Sequence, residues 1–522
     1  MNSLPSFLAA ASGPRGPSHD QRAACRAALA GAVALAVALG VGRFAFTPLL
    51  PLMLAGGELD IRHGGWLASA NYAGYFVGAM TCARIAVDPA RMVRAGLAAT
   101  VLLTFAMGLA SPFWVWALVR FVGGAVSAWT FVFASQWGLR RVVEHGAPAW
   151  GGVIYTGPGI GIVATGLIGF ALAGRHAALG WIGFAAASAV LTAFVWRAFG
   201  AAGAGTDGGQ SRGGAKRAGD GVGVADAAGR AGERLAAGAT GAAEGAEGAE
   251  GAEAVADAVS AANVADTADT ANSANSANSA NSANSANSAN SANSATATAE
   301  RNSPVAGVAG QHGAMAAPAA RAPHVESAAA RRDAFWLVLL YGLPRFGYII
   351  TATFLPVIAR AALPAHSRWP DLFWPMFGAA LIAGALLGAR LPSGWDNRLL
   401  LGACCAVQAL GVALGIVWPT APGFALGSAL VGLPFTAITL FAMREARRLR
   451  GERAAGLMGY ATASYGVGQI AGPLAAAPLA AHAGSFSPAL WLAATMLAVG
   501  AAGFAAVALR AWRAKTRGGG VG

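Results

Sequence analysis

Residues 42–51 read Gly-Arg-Phe-Ala-Phe-Thr-Pro-Leu-Leu-Pro, and residues 344–356 read Pro-Arg-Phe-Gly-Tyr-Ile-Ile-Thr-Ala-Thr-Phe-Leu-Pro. Each stretch carries an Arg-Phe pair, Arg43-Phe44 or Arg345-Phe346, inside an apolar segment that ends in proline. The repetition indicates one membrane unit written twice along the chain. An arginine at the centre of a membrane helix costs about 2.5–3.5 kcal/mol on insertion scales, so it usually marks a pathway or a site. The alternative is a structural arginine that is hydrogen-bonded to helix carbonyls.

The composition is that of a polytopic membrane protein. Of 522 residues, 56% are hydrophobic and 11% are charged, and the mean hydropathy is +0.53. A soluble domain carries about 25% charged residues. The net charge of +13 does not indicate nucleic-acid binding, because no basic run is interleaved with aromatic residues. We expect the basic residues to set the topology in a lipid bilayer instead.

Twelve segments are long and apolar enough to cross a bilayer, which needs about 20 such residues. They fall six on either side of a central region: 27–54, 65–87, 94–110, 112–139, 150–173, 177–199, 334–359, 371–391, 399–418, 421–443, 455–479 and 488–510. We predict an all-α membrane protein whose twelve transmembrane helices form two six-helix bundles, at 27–199 and 333–510. Cytoplasmic tails at 1–26 and 511–522 would flank them.

The central region, 200–332, is of a different kind. It contains no Trp, Tyr or Phe, and it carries a Gly-Ala-Glu tract at 241–253 and eight copies of Ala-Asn-Ser at 271–294. Such a segment cannot bury enough apolar area to offset its ordering entropy. We predict a long disordered central cytoplasmic loop that serves as a spacer.

The distribution of basic residues predicts the orientation. If the N-terminus is cytoplasmic, most arginines of the short loops fall on that side, and only Arg62, Arg175, Arg360 and Arg368 fall on the other. This is the positive-inside asymmetry. We expect a multi-pass protein of the bacterial inner (cytoplasmic) membrane with both termini cytoplasmic.

The residues that carry catalysis or hold metals are missing from the spans. Cys25, Cys82, Cys404 and Cys405 have neither CxxC nor zinc-finger spacing, and no Asp, Glu or His lies in the middle of a predicted span. No ATP-binding loop of the form GxxxxGKS/T is present. We therefore predict that the protein is not an enzyme, binds no metal or other cofactor, and is a monomer.

Glycine, proline and charged residues recur at matching places in the two halves. GxxxG pairs end at Gly78 and Gly388, and each is followed by a loop with Asp and Arg: Arg84, Asp88 and Arg91 in the first, Arg390, Asp396 and Arg398 in the second. Close helix packing needs such glycines, and moving helices need such Gly and Pro pairs. The charges either lock neighbouring helix ends or only signal topology. The predicted gating and packing residues are Gly78, Asp88, Arg91, Gly123, Gly157, Pro158, Gly388, Asp396, Gly472 and Pro473.

These features together resemble the major facilitator superfamily. Gly78…Asp88…Arg91 is a degenerate form of the family's loop 2–3 motif, Arg120…Gly123-Gly124 resembles its helix 4 motif, and Gly157-Pro158 its helix 5 motif. Residues 42–51, together with Asn71-Tyr72-Ala73-Gly74-Tyr75, resemble the YbfB/YjiJ-like branch. The resemblance covers both membrane halves but not 200–332. It implies secondary transport by alternating access around a cavity lined by helices 1, 4, 7 and 10, so that Arg43, Arg120 and Arg345 would face the path.

Charge at membrane depth predicts the substrate class. Three arginines without carboxylates would attract anions and repel cations, and a guanidinium holds a carboxylate or phosphate through parallel hydrogen bonds. We predict a small organic anion as substrate. Each aromatic residue alone fits packing as well as stacking on a ligand. The predicted cavity residues are Arg43, Phe44, Asn71, Tyr72, Tyr75, Arg120, Trp129, Tyr155, Arg345, Phe346, Tyr348, Tyr465 and Gln469.

Other functions and several modes of energy coupling stay open. The first alternative is proton-coupled multidrug efflux of cationic or neutral compounds, and the second is a transporter-like sensor or scaffold that signals through the central loop. A proton or ion gradient is the expected energy source. Protons carried by the substrate, exchange of one anion for another, a proton site at Glu58 or Asp60, or a role of Arg120 would each provide the coupling.

Overall fold

The computed structural model of the protein describes residues 19–85, 87–147, 150–200, 328–388, 391–392, 394–451 and 454–518. The predicted disordered loop lies almost wholly outside these residues. So do residues 1–18 of the predicted N-terminal tail, residues 519–522 of the C-terminal tail, and Arg390 of the second loop motif.

The described chain is helical and confirms the predicted all-α class with two sets of six helices. We label the spans α1 to α12. Their bounds are His19–Leu35 with Ala36–Val41 and Phe46–Ala55 (α1), Ile61–Thr81 (α2), Pro89–Leu109 (α3), Phe113–Glu144 (α4), Gly151–Ile154 with Gly157–Ala171 (α5), Ala177–Trp196 (α6), Ala328–Ala362 (α7), Trp369–Gly388 (α8), Asn397–Val417 (α9), Ala421–Gly432 with Phe435–Arg450 (α10), Ala454–Ala483 (α11) and Ser487–Gly518 (α12).

Ten of these spans are long and apolar enough to cross a membrane, as counted over the described residues. The other two, α2 and α11, are 21 and 30 residues long but carry more glycine and polar residues. They pack against each other between the two halves. Because they face protein as well as lipid, a fully apolar surface is not required of them.

Several helices extend beyond the predicted apolar segments, and three are interrupted inside them. α1 begins at His19, α7 at Ala328, and α12 ends at Gly518, because polar turns continue a helix outside the hydrocarbon, where hydropathy gives no signal. α10 is interrupted before Phe435 by Pro434, which lacks the N–H of a helix donor and clashes with the preceding turn.

Both halves place their chain ends on one side of the molecule. His145 at the end of α4 lies 3.5 Å from Asp20 at the start of α1. Arg510 late in α12 stacks on Trp336 early in α7, 5.6 Å from the ring centroid. We call this side the terminal face and the opposite side the distal face.

Matching glycines bring helices together at the same place in each half. A Cβ added at Gly74 of α2 would overlap the carbonyl oxygen of Phe121 in α4, and one added at Gly384 of α8 would overlap that of Leu433 in α10. Only glycine allows backbones to approach so closely. The contact supports the predicted duplication of one six-helix unit.

The two halves meet along α2 with α11 and along α5 with α8. Five hydrogen bonds between the halves of the described chain lie at the level of Arg43 or closer to the distal face. They join Ser69 to the Ile470 carbonyl (2.8 Å), Tyr72 to Thr353 (3.1 Å), Thr47 to the Ala352 carbonyl (3.1 Å), Arg368 to the Phe170 carbonyl (2.7 Å), and Arg43 to Gln469. On the terminal side, apolar residues of both halves share one cluster. The distal contact is therefore the more specific of the two.

Candidate functional site

Arg43 follows a π-helical turn in α1. In this turn the backbone N–H groups of Gly42 and Phe44 donate to carbonyls five residues earlier, those of Val37 (3.0 Å) and Leu39 (3.1 Å). Such widened turns are rare and occur often at functional sites. The turn places the Arg43 side chain between the halves, where 3% of its surface is exposed.

Arg43 is held by one amide and three aromatic rings, one of them that of Phe44, 5.4 Å from its guanidinium carbon. Its Nη2 donates to Oε1 of Gln469 in α11, and its guanidinium carbon lies 4.1 Å from the ring centroid of Tyr75 and 5.0 Å from that of Tyr72. The Nε has no hydrogen-bond partner. Gln469 in turn donates from Nε2 to the hydroxyl of Tyr348. The side chain of Gln469 thus connects Arg43 of the first half with Tyr348 of the second.

Arg345 of α7 is fully buried and makes hydrogen bonds through one nitrogen. Its Nη2 donates to the hydroxyl of Tyr341 (3.4 Å), to the carbonyl of Phe435 (3.4 Å) and to the hydroxyl of Thr439. Its Nε and Nη1 have no partner. A buried cation that lacks partners for two of three nitrogens is costly, which points to a ligand.

Aromatic rings enclose the Arg345 guanidinium. Tyr465 of α11 is nearest, at 4.4 Å from the ring centroid, and Tyr341, Tyr348 and Phe435 each lie at 5.4 Å. Cation–π contacts in desolvated places are worth about 2 kcal/mol. The rings stabilise the charge without neutralising it. We call Arg43, Arg345, Gln469 and the rings of Tyr72, Tyr75, Tyr341, Tyr348, Phe435 and Tyr465 the arginine cluster.

Arg120 has a different environment. Its Nη2 donates to the carbonyl of Arg43 (3.2 Å), its Nε to that of Leu67 (3.5 Å), and it stacks 4.8 Å from the ring centroid of Phe46. The carbonyl of Arg120 itself accepts from Nδ2 of Asn71 (2.8 Å). Arg120 therefore matches the alternative interpretation, a structural arginine bonded to helix carbonyls. It joins α1, α2 and α4.

Several carboxylates of the described residues pair with basic groups other than the three buried arginines. Asp371 pairs with Arg360 near the distal face. Asp333, Asp396 and Glu445 pair with Arg398 near the terminal face. Within the described part of the chain, no group of His, Cys, Asp and Glu has the arrangement of a metal site. The arginine cluster is a positively charged environment.

Six predicted cavity residues lie outside the arginine cluster, and two of them, Asn71 and Arg120, are described above. Trp129 donates from Nε1 to Thr81 at the contact of α2 and α4 (3.0 Å), and Tyr155 packs edge-on against Phe131, with centroids 6.4 Å apart. Phe44 packs against Trp374, with ring centroids 6.0 Å apart, and also lies beside the Arg43 guanidinium, while Phe346 packs against the distal hydrophobic core. Trp129, Tyr155 and Phe346 therefore occupy packing positions.

The predicted glycines and prolines lie mostly at helix contacts. An added Cβ would overlap Ala125 at Gly78, the Ala32 carbonyl at Gly157, and Ile349 at Gly472, and would come close to Ala437 at Gly388. Pro158 starts the second piece of α5, and Pro473 lies inside α11, where its carbonyl faces Gly65 of α2. Gly123 differs, since it lines a small pocket with Arg120 and Trp181 rather than a tight contact.

The two predicted loop motifs differ. Asp88 accepts from the backbone N–H of Arg91 (3.0 Å) and caps α3, while the Arg91 side chain is exposed. Asp396 caps α9 and also accepts from Nε and Nη2 of Arg398 (3.0 and 2.8 Å). Burial raises the pKa of Asp396, but the hydrogen bonds from Arg398 outweigh it and hold that pKa below its ordinary value. The second loop links α7, α9 and α10.

Three partners of Arg345 were missing from the sequence-based selection. Tyr341 lies four residues before Arg345, so helical periodicity predicts that the two side chains share a face. Phe435 and Thr439 follow the break in α10, and nothing in the sequence pattern places them beside α7.

Comparisons with known proteins agree with this architecture. The model of a family described as "Uncharacterised MFS-type transporter YbfB" matches residues 35–219 and 289–504. Among solved structures, the chain is similar to the crystal structure of a mutant of nucleoside transporter NupG. The identity is 13%, the alignment covers 92% of this chain and 99% of that one, and the TM-score is 0.55. At this identity the likeness shows the fold alone. No curated protein sequence matches the chain.

Proposed function

Because the chain belongs to the family of YbfB MFS-type transporters, we propose that this secondary transporter carries a small organic anion by alternating access, driven by an ion gradient. The unpartnered Nε and Nη1 of Arg345 carry the proposal. These N–H groups are fully buried, and buried donors are normally satisfied. An anionic oxygen is the partner that suits them best.

The contacts between the two halves support a transport cycle in which one side opens at a time. Hydrogen bonds close the distal side above the arginine cluster, while the terminal side has apolar contacts between the halves. We propose that the terminal side opens to admit or release the substrate from this state, and that the distal bonds break in the opposite state. Tyr75 and Tyr465 lie on the terminal side of the arginines and are partly buried, so they would meet the substrate first.

We propose that the terminal face is cytoplasmic and the protein lies in a bacterial inner membrane as a monomer. Arg94, Arg140 and Arg141, among others, are placed on this face by the helix ends, which agrees with the positive-inside rule. Few basic residues fall at the distal face.

The coupling ion is proposed to be a proton that moves in the same direction as the anion. Asp60 suits this role poorly, because it caps α2. The backbone N–H of His63 donates to its carboxylate (2.8 Å) and lowers the pKa of Asp60 below its ordinary value. Asp60 is therefore deprotonated at neutral pH. Arg120 is also engaged by backbone carbonyls.

Ligand-induced thermal stabilisation of the purified protein tests the proposal. We expect organic anions to raise the melting temperature, and Arg43→Gln and Arg345→Gln to weaken anion binding about tenfold or more. Uptake of the same anions into proteoliposomes gives the transport readout. Stabilisation only by cationic or neutral drugs, equal in both variants, would contradict the anion proposal and favour multidrug efflux.

Deletion of residues 205–325 separates a transporter from a sensor. A transporter whose site lies among α1, α2, α7, α10 and α11 keeps its uptake rate without this region. Uptake that persists together with unchanged ligand stabilisation supports transport, whereas loss of a cellular response with no uptake in either form supports a sensor.

A further inference from the structure

We propose that the transported anion is a dianion with two separate anionic groups, one bound by Arg43 of the first half and the other by Arg345 of the second. This inference rests on the proposed anion transport and specifies the substrate of the same site.

The first step is the state of the two guanidinium groups. Both are buried, at 3% and 0% exposed, and both keep N–H groups without partners: Nε of Arg43, and Nε and Nη1 of Arg345. Their other hydrogen bonds go to neutral acceptors, namely an amide, hydroxyls and a carbonyl. Neither arginine pairs with a carboxylate of the described residues.

The second step is the number of charges that the ligand must bring. Arg120 is the third buried arginine, but its Nε and Nη2 donate to the carbonyls of Leu67 and Arg43, and none of its nitrogens is among the fully buried donors without a partner. Arg43 and Arg345 are the two buried arginines that keep such donors. A ligand with one anionic group would serve one of them and leave the donors of the other buried and unpaired, which is unfavourable. Two anionic groups match the two arginines.

The third step is the separation of the two binding points. Arg43 and Arg345 lie on α1 and α7. Hydrogen bonds run from Arg43 through Gln469 to the hydroxyl of Tyr348, and the Tyr348 ring lies 5.4 Å from the Arg345 guanidinium. The nearest ring is that of Tyr75 for Arg43 and that of Tyr465 for Arg345. Because side chains of Gln469 and Tyr348 stand between the two guanidinium groups, the two anionic groups are spaced apart on one ligand in this proposal, as in a dicarboxylate.

The fourth step is the role of Gln469. Its Oε1 accepts a hydrogen bond from Nη2 of Arg43. A carboxylate oxygen of the ligand would accept from the same N–H group. A charged oxygen makes a hydrogen bond about twice as strong as a neutral one. The dianion would displace the amide and connect the two halves directly through both arginines.

Matched pairs of ligands test this inference on the full-length protein in detergent. Isothermal titration calorimetry compares succinate with butyrate, adipate with hexanoate, and terephthalate with benzoate, and includes inorganic phosphate as a compact dianion. We expect at least one dicarboxylate to bind about tenfold to a hundredfold more tightly than its monocarboxylate partner. The best chain length reports the spacing of the arginines.

Variants identify the groups responsible. In Arg43→Gln and in Arg345→Gln, the preference for the dicarboxylate should fall to about onefold, and Arg43→Lys and Arg345→Lys should retain part of it. Arg368→Gln is the matched control, because Arg368 lies at the distal face on the Phe170 carbonyl, and it should keep the full preference. Melting temperatures of the apo variants exclude misfolding.

The outcomes separate this inference from the proposed function. If dicarboxylates bind no better than monocarboxylates, or phosphate binds better than every dicarboxylate, the inference of two spaced anionic groups is wrong while anion transport stands. If only one of the two Gln variants loses the preference, the inference of two separate binding points is likewise wrong, and anion transport stands. If no carboxylate or phosphate binds and cations do, both proposals are wrong.

Discussion

At the scale of single residues, three buried arginines in similar settings have different roles. Arg120 donates to two backbone carbonyls, whereas Arg345 keeps two nitrogens without a partner. From this difference we expect the first arginine to contribute to stability and the second to reduce it in the absence of a ligand. Stability and binding should therefore respond in opposite ways to substitution.

We predict that Arg120→Gln lowers the stability of the apo protein by about 1.5–3 kcal/mol, the worth of hydrogen bonds from a charged donor. Arg345→Gln should leave the stability unchanged or raise it, since replacing an incompletely paired buried charge is often neutral or stabilising. Thermal unfolding in detergent measures both. A drop for Arg345→Gln as large as that for Arg120→Gln would show that Arg345 is structural too.

At the scale of helices, the contacts depend on glycines at specific positions. A Cβ at Gly74 would meet the backbone of α4, while Gly183 on α6 has nothing within 4 Å of an added Cβ. The same residue type is thus required in one helix and incidental in another.

We predict that Gly74→Ala destabilises the protein by about 1–3 kcal/mol through overpacking. Gly183→Ala is the matched control, and should stabilise by up to about 1 kcal/mol, because alanine is the better helix former. Melting curves of the two variants measure these opposite changes in stability. Equal melting temperatures would mean that α2 and α4 separate freely.

The loop before α9 gives a prediction on pH. The pKa of Asp396 lies below its ordinary value, so its carboxylate stabilises the fold at neutral pH, and this contribution is lost as the pH falls through the ordinary value and below. Asn is also a good N-cap, so Asp396→Asn removes the charge alone. The wild-type protein should be more stable than the variant by about 1 kcal/mol or less at pH 7. The difference should shrink as the pH falls below about 4, the ordinary pKa of an aspartate, as thermal unfolding across that range will show.

At the scale of the whole molecule, the halves are joined by specific hydrogen bonds on the distal side. Ser69 and Ser188 are both buried, but Ser69 lies between the halves and Ser188 inside the first half. Both accept the near-isosteric change to cysteine. They offer a matched pair of reporters of distal opening.

We predict that Ser69→Cys, in a protein without native cysteines, reacts slowly with a maleimide in this state. Tyr72→Phe removes the hydrogen bond to Thr353 and should raise the labelling rate about fivefold, equivalent to about 1 kcal/mol. The labelling rate of Ser188→Cys should not change when Tyr72→Phe is added. An equal rise at both positions would indicate general loosening rather than opening between the halves.

The sequence was sufficient to predict the spans and the position of Arg43 and Arg345 within them, since both depend on local composition, whereas the role of the two arginines stays a prediction. Tyr341 was also within reach, through its helical spacing from Arg345. The bridge from Arg43 to Gln469 joins residues 426 positions apart and depends on how the halves dock, which no local pattern encodes. Likewise, only the packing of α4 against α1 and α2 separates the role of Arg120 from that of the other arginines.

The bridge through Gln469 has a consequence for the return step of the empty carrier. Because this amide satisfies the Nη2 of Arg43 when no cargo is present, we predict that the unloaded protein keeps a bond between its halves and resets without a second substrate. The protein should therefore produce net flux rather than obligatory one-for-one exchange. Liposomes that contain no internal anion should fill at a rate comparable to preloaded ones, whereas in Gln469→Leu uptake should become dependent on preloading.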